Sequence, residues 1–493
     1  MKKSLLIFIC ATLLVMTGYA QNDGETFEQY KQRMQKEMAD FKNQKQKELD
    51  DFRKKANEEF AAFMKQKWEE LQAFKGVNPP EEPKPPVPTP VEPDRKPTED
   101  PIPFQKIEPK PAVPELPQPI LPDVLPVLPP IASPVQFNFY NTLCSVKMHP
   151  EMKVTMNEIN EEEASRVWSL LSNEKFDPTI KNLLDIKTEM LLNDWGYIQL
   201  VRSFSEAVHG STIDNAALLQ AYILSQSGVD LRLVFAGKHL YVAVPFDEEI
   251  YRMQYIQVGD LPYYMLDRAD AEKYFVFNRT FPGCKTPSIR ISNTPAFEES
   301  STDSRVLSSV RYPEIRIRLK ENKNLIDYYN NYPLTSKWNY YSQASLSDET
   351  KEQLYPILRS KIKGLTEGEA ANVLINFVQT AFEYATDQDQ FGYERPLFGD
   401  ETFYYPFSDC EDRSILYSIL VRDLLGLDVV LLHFPGHLAT AVEFTTNIKG
   451  DYLLIDDVKY VVCDPTYIGA TIGMAMPEYK KEGTEIEVIY ISF

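Results

Sequence analysis

Histidine and cysteine are scarce in this 493-residue chain, with five of each. No CxxC, HExxH or Gly-rich phosphate loop occurs, so zinc, haem and nucleotide chemistry have no anchoring motif, and no metal or cofactor is expected. Positive charge is also short: Lys+Arg 52 against Asp+Glu 72 leaves a net charge of −20. A surface of that sign repels phosphate backbones and anionic lipid, which excludes nucleic acid as a partner. Beyond the first twenty residues no apolar run reaches the ~18 to 20 residues needed to span a bilayer. The chain is nonetheless 43% hydrophobic, enough for real cores, and its length suggests about three units. Its chemistry must rest on few side chains.

Residues 1–20 read as a secretory signal: Lys2 and Lys3 precede an apolar run from Leu5 to Met16, and Gly18-Tyr19-Ala20 offers small residues before Gln21. Cleavage after Ala20 would remove Cys10 and leave Cys144, Cys284, Cys410 and Cys463 in an exported, periplasmic or cell-surface protein. Residues 25–75 hold no proline, and no glycine before the final Gly76 boundary, so a helix is expected there. Its apolar residues step by eleven, as in Tyr30, Phe41, Phe52, Phe63, Phe74, and Glu37, Glu48, Glu59, Glu70 keep the same step. Eleven residues in three turns predicts a nearly straight or gently right-handed coiled coil, a rod of roughly 75 Å that self-associates. A lipid-surface helix and a lone solvated helix are the other readings. Residues 78–134 carry 21 of the 36 prolines, in strings such as Pro83-Lys84-Pro85-Pro86. They read as an extended, semi-rigid spacer, with a ligand for a Pro-recognising domain as the alternative.

The remaining body repeats itself. Thr212 to Leu219 aligns with Cys410 to Tyr417, Gly228-Val229-Asp230-Leu231 with Gly426-Leu427-Asp428-Val429, and His239 to Val244 with His437 to Val442, all at one offset. Tyr263 to Asp267 then aligns with Tyr460 to Asp464 after a one-residue change. In each copy a helix (Trp195 to Ala207; Gly368 to Thr386) leads to a second helix starting at Thr212 or Cys410, and then to antiparallel strands, which gives an α+β fold of two modules at 135–310 and 311–493. The first copy has a threonine where the second has Cys410, but keeps its histidine and aspartate.

Cys410 falls in the first turn of its helix, where free N–H groups favour a thiolate although Asp409, Glu411 and Asp412 oppose it. His437, after the Pro435-Gly436 turn, can take the proton, and Asp464 can hold the imidazole. Together they support acyl transfer in a solvent-open groove, with N–H groups near Cys410 as oxyanion donors and the second donor unassigned. The segments Ser408-Asp409-Cys410-Glu411-Asp412-Arg413-Ser414, Pro435-Gly436-His437-Leu438-Ala439-Thr440-Ala441-Val442 and Cys463-Asp464-Pro465-Thr466 resemble the transglutaminase-like superfamily of papain-type cysteine enzymes, in its bacterial branch. The resemblance covers about residues 365–475 and, in degenerate form, 190–275. It implies Cys410 as nucleophile, His437 as general base and Asp464 as orienting acid, with a cysteine helix packed on an antiparallel sheet.

His433, His239, Asp267 and Cys463 are read as structural, Cys144 and Cys284 as a potential disulfide, and the Tyr- and Phe-rich stretch Asp387 to Phe407 as a substrate-gripping loop. A strict cross-linker must keep water from its acyl-enzyme, and no sequence feature provides for that. The expected activity is therefore peptidase or amidase action on a peptide, protein or cell-wall-type amide. The alternative is a non-catalytic cell-envelope scaffold whose two modules bind proteins.

Overall fold

A computed structural model describes residues 27–122, 125–129, 133–210, 213–481 and 483–491. The signal, Cys10 and Thr212 lie outside these residues. The first element, α1 (Phe27–Met64), ends before the expected residue 75. The chain then bends at Trp68, whose indole N–H caps the Met64 carbonyl at 3.0 Å and whose ring stacks on Phe235. Two short strands follow, β1 (Glu69–Leu71) and β2 (Ala73–Phe74). The rod is also no free rod: Ala56, Asn57, Phe60, Ala61 and Met64 are buried in the body, and Arg53 donates two hydrogen bonds, at 2.7 and 2.8 Å, to the buried Asp177. An apolar stripe remains in solvent, with Met38 67%, Phe41 60% and Phe52 47% exposed.

The Pro-rich segment differs most from expectation. It is extended, as its composition dictates, but it is a strap laid along the body rather than a spacer. Val91 N–H donates to Ile468 and Ile102 N–H to Tyr452, and β3 (Lys106–Ile107) joins a sheet as its edge strand, in parallel. Further on, Ile120 N–H reaches the Gln226 carbonyl in the other half of the molecule. Such a segment can dock because backbone groups that proline leaves free pair with exposed strand edges.

The body opens with the hairpin β4 (Ser133–Phe139) and β5 (Thr142–Met148). Helices α2 (Glu161–Leu171), α3 (Asp177–Glu189), α4 (Asp194–His209) and α5 (Ile213–Gln226) follow. Strands β6 (Arg232–Ala236), β7 (His239–Val244), β8 (Tyr255–Val258), β9 (Leu261–Met265) and β10 (Tyr274–Phe277) then form an antiparallel sheet in the order β1-β10-β6-β7-β9-β8-β2. Its two edge strands, β1 and β2, are separated by the single residue Gln72, so the sheet curls until its ends meet.

A second hairpin, β11 (Arg305–Ser308) and β12 (Arg316–Leu319), straddles the expected module boundary at 310/311. Beyond it come α6 (Lys323–Asn330), α7 (Trp338–Gln343), α8 (Asp348–Ile362) and α9 (Glu367–Ala381). The short elements β13 (Glu383–Tyr384), α10 (Asp387–Gln390), α11 (Gly399–Tyr404) and β14 (Phe407–Ser408) lead into α12 (Cys410–Leu425). The sheet of this half holds β15 (Val429–Phe434), β16 (His437–Glu443), β17 (Tyr452–Ile455), β18 (Val458–Cys463) and β19 (Glu487–Tyr490), in the order β17-β18-β16-β15-β19-β3. The series β15-β16-β18-β17 repeats β6-β7-β9-β8, and α9 and α12 stand where α4 and α5 stand in the first half. The fold is therefore mixed α/β with a long N-terminal helix and curled sheets. One hydrophobic core runs through both halves, from Phe60 to Ile472. Among the described residues no helix is long and apolar enough to cross a membrane.

Candidate functional site

Helix α12 starts where the sequence says it should. Asp409 is its N-cap, the Asp409 N–H donates to Asp412 at 3.3 Å, and Gly426 at φ 69° closes the C-terminus. Cys410 is therefore the first helical residue, with its N–H free of an intrahelical partner by construction. The adjacent β16 packs Leu438 against it, and the thiol itself donates to the Glu411 carboxylate at 3.2 Å rather than to His437. The Leu438 N–H points at the thiol sulfur, and the Leu438 carbonyl accepts from Ser414, one turn along α12, at 2.8 Å. His437 Nε2 and Asp464 Oδ2 are 2.8 Å apart, which leaves Nδ1 as the nitrogen available for proton exchange. The imidazole is fixed by stacking on Tyr479, with centroids 5.1 Å apart and planes within 2°. Asp464 is fixed in turn, its Oδ1 accepting from the N–H groups of Thr466 and Tyr467 at 2.9 and 3.1 Å.

Two residues that the sequence did not mark tie these pieces together. Gln379 on α9 donates its amide to the carbonyls of Asp464, Tyr467 and Ala470 at 3.2, 2.9 and 3.2 Å. Arg413 on α12, fully buried, donates to Ser408 Oγ and to the carbonyls of Gln379 and Phe382. The loop after β18 and the first turn of α12 are thus pinned to one helix. Tyr384 lies beside them on β13, paired with Ser408. Its hydroxyl is buried without a hydrogen-bond partner, and burial and the neighbouring thiol both hold its pKa up.

The expected open groove is closed. Cys410 is 1% exposed, and His437 and Asp464 are 2% exposed. The strap runs over the turn between β15 and β16, and Pro83 approaches Gly436 so closely that an added Cβ there would lie 2.6 Å from the Pro83 carbonyl oxygen. Glu82 contacts His433 Nε2 at 2.9 Å, while His433 packs edge-on to Trp338. Lys84 then inserts its ammonium beside the cysteine, at 2.7 Å from Glu394, 2.9 Å from Asp409 and in contact with Glu411. Burial alone would lower the Lys84 pKa, but Glu411, Asp409 and the thiol together raise it well above the usual value.

Nor is the thiolate favoured in this closed state. Burial pushes the Cys410 thiol well above its usual pKa and Glu411 and Asp409 add to this, against the smaller pull of Lys84 and the Leu438 N–H. Asp409 itself is pushed up to about 7, by burial first and then by Glu411. The helix terminus does not outweigh desolvation and two carboxylates.

In the first half the aligned residues do not meet in the same way. His239 Nδ1 lies 3.3 Å from Asp214, which also accepts from the Leu240 N–H at 2.7 Å, and Asp267 is held by Arg202 at 2.6 Å. Cys463 is buried in the core beside Tyr417. Cys144 and Cys284 form no disulfide: both thiols are free, one against Met190 Sδ at 3.9 Å and the other on the Ser225 carbonyl at 3.3 Å. The expected gripping loop is largely interior, with Leu397, Asp400, Glu401 and Phe403 buried and an Arg395–Glu401 ion pair at 2.5 Å; Asp387 and Glu394 are the residues it offers to the site. The chain matches no family model, and no curated protein or solved structure is detectably similar to it.

Proposed function

We propose that the chain is an exported cysteine acyl-transfer enzyme built from two transglutaminase-like, papain-type modules, the first degenerate, and that its closed site acts on a peptide or cell-wall-type amide. The observation that carries this reading is the buried His437–Asp464 pair at 2.8 Å at the head of the strand whose next residue, Leu438, packs on Cys410. In the reaction His437 Nδ1 takes the Cys410 proton and the sulfur adds to the amide carbonyl. The resulting oxyanion is met by the Cys410 N–H, with the unused Tyr384 hydroxyl assigned as second donor. His437 returns the proton to the departing amine. A water deprotonated by His437 then cleaves the thioester, giving the acid and the free thiol. Asp464 keeps the ring in one orientation and stabilises the imidazolium.

The second reading, a non-catalytic envelope scaffold, is favoured by one observation, the burial of Cys410 and its raised pKa. Alkylation separates the two. In the enzyme, iodoacetamide modifies Cys410 ahead of Cys144, Cys284 and Cys463 once the strap is loosened, and His437→Ala abolishes that preference. Equal, slow modification of all four thiols with the strap loosened sinks the catalytic reading. The exposed stripe at Met38 and Phe41 is the surface we assign to self-association of the N-terminal helix.

A further inference from the structure

The strap does more than cover the site, because it brings a particular side chain to a particular place. Glu394, Asp409 and Glu411 converge on one ammonium whose own residue lies more than 300 positions away in sequence, and the Lys84 side chain is 4% exposed. Asp387 stands behind them, its N–H bonded to Asp409 at 3.3 Å. An acidic cluster so deeply buried is unfavourable without a counterion. Asp409 Oδ1, fully enclosed, still lacks any hydrogen-bond partner with Lys84 in place, so the pocket offers more acceptor capacity than its present occupant uses. The backbone on either side of Lys84 is proline, extended, and seated against Gly436, the residue before His437.

From this geometry we infer that the pocket formed by Glu394, Asp409 and Glu411 is a recognition subsite for a lysine-type ammonium on an extended, proline-flanked peptide, and that Lys84 is its occupant in cis. The inference rests on the reading of Cys410 as the nucleophile and names the substrate class for it. The ammonium is a recognition element and not the acyl acceptor. Clasped by carboxylates that hold its proton, it has no lone pair to attack a thioester. The same cation offsets two of the charges that oppose ionisation of Cys410. A substrate carrying it therefore brings a condition for its own turnover, and a peptide lacking it meets a site that stays closed or holds a protonated thiol.

The test uses the full chain and the peptides Glu-Pro-Lys-Pro-Pro and Glu-Pro-norleucine-Pro-Pro, which differ only in the ammonium. In Lys84→Ala, Cys410 alkylation by iodoacetamide, read at pH ~9 where an uncovered thiol ionises without the ammonium's help, rises by about tenfold or more over the parent, the factor expected for losing a charged contact. The lysine peptide, followed by calorimetry and by protection of Cys410, binds this variant, and the norleucine peptide does not. Glu394→Gln, which leaves Lys84 in place, is the second variant should Lys84→Ala fold poorly; it loosens the strap and weakens the lysine peptide together. Equal binding of both peptides, binding of neither, protection by calcium or magnesium instead, or covalent capture of the peptide amine overturns the subsite. Alkylation that is indifferent to His437→Ala, with lysine-specific binding intact, overturns the nucleophile reading alone and leaves the subsite standing.

Discussion

Gly436 offers the sharpest separation of strap docking from general stability. It sits at φ 74° in the turn before His437, and the one neighbour an added Cβ meets is the Pro83 backbone, with the carbonyl oxygen at 2.6 Å. Gly426 at the end of α12 has nearly the same backbone, φ 69°, with nothing within 4 Å of such a Cβ. Gly→Ala at either position costs about 1–2 kcal/mol for the left-handed conformation. Only Gly436→Ala must also push a backbone atom aside, an overpacking cost of about 1–3 kcal/mol that the strap relieves by lifting off. At about 1.4 kcal/mol per factor of ten, the strap opens roughly ten to a hundred times more often in Gly436→Ala. Both variants should lose similar global stability in chemical denaturation, while Cys410 alkylation, read by mass spectrometry, accelerates by that factor in Gly436→Ala alone. Equal acceleration in the two, or none in either, refutes the claim that the strap is what seals the thiol.

Three further outcomes follow from the same structure. The Glu82–His433 clasp is pH-dependent: the His433 pKa is raised above 6.5, burial being outweighed by Glu82 and then Glu487, so its contribution is full below about 6.5 and lost as pH rises through the raised value. The Glu82 pKa is lowered below 4.5, burial being outweighed by His433, so its contribution is present above about 4.5 and lost on further acidification. The ratio of Cys410 alkylation in the parent to that in His433→Gln should therefore be lowest between those limits and climb toward one in mild alkali; a flat ratio removes the clasp. Arg53→Ala, which strands the buried Asp177 carboxylate, should destabilise the first half by about 3–5 kcal/mol, whereas Arg53→Met with Asp177→Leu should be near neutral; urea titration decides, and a loss under 1 kcal/mol for the single variant contradicts the estimate. Met38→Glu with Phe41→Glu should leave thermal unfolding unchanged and abolish self-association in sedimentation, and a monomeric parent would dispose of the coiled-coil role.

What the sequence made legible was what local rules decide. The period-two runs that become β7 and β16, the helix beginning at Cys410, the spacing that joins His437 to Asp464 and the common element order of the two halves were all readable from pattern and repeat. Composition also foretold that the prolines would be extended. Where the extended chain goes was hidden, because docking depends on free sheet edges and a distant acidic pocket that no local window contains. The early end of α1 has the same origin: Trp68 and the strands after it leave a favourable helical sequence because they bury surface and complete a sheet in the body. The closed state of the site follows from Lys84 and Pro83, ordinary members of a Pro-rich run until the fold sets them against Asp409 and Gly436. Gln379 and Arg413 read as unremarkable helix polar residues for the same reason.

The strap precedes both halves in the chain while its anchoring carboxylates lie near the far end, 325 residues away in the case of Asp409. A ribosome building this protein releases the cover long before the thiol it will cover exists. Vectorial synthesis must therefore leave the stretch from Glu82 to Ile107 waiting, while the later stretch at Ile120 already has its partner at Gln226, and loop closure over such a distance makes docking over the thiol a late event in maturation. An interrupted product that ends before α12 has a cover and nothing beneath it, so a complete, sealed pocket is itself a sign that translation ran to the final strands.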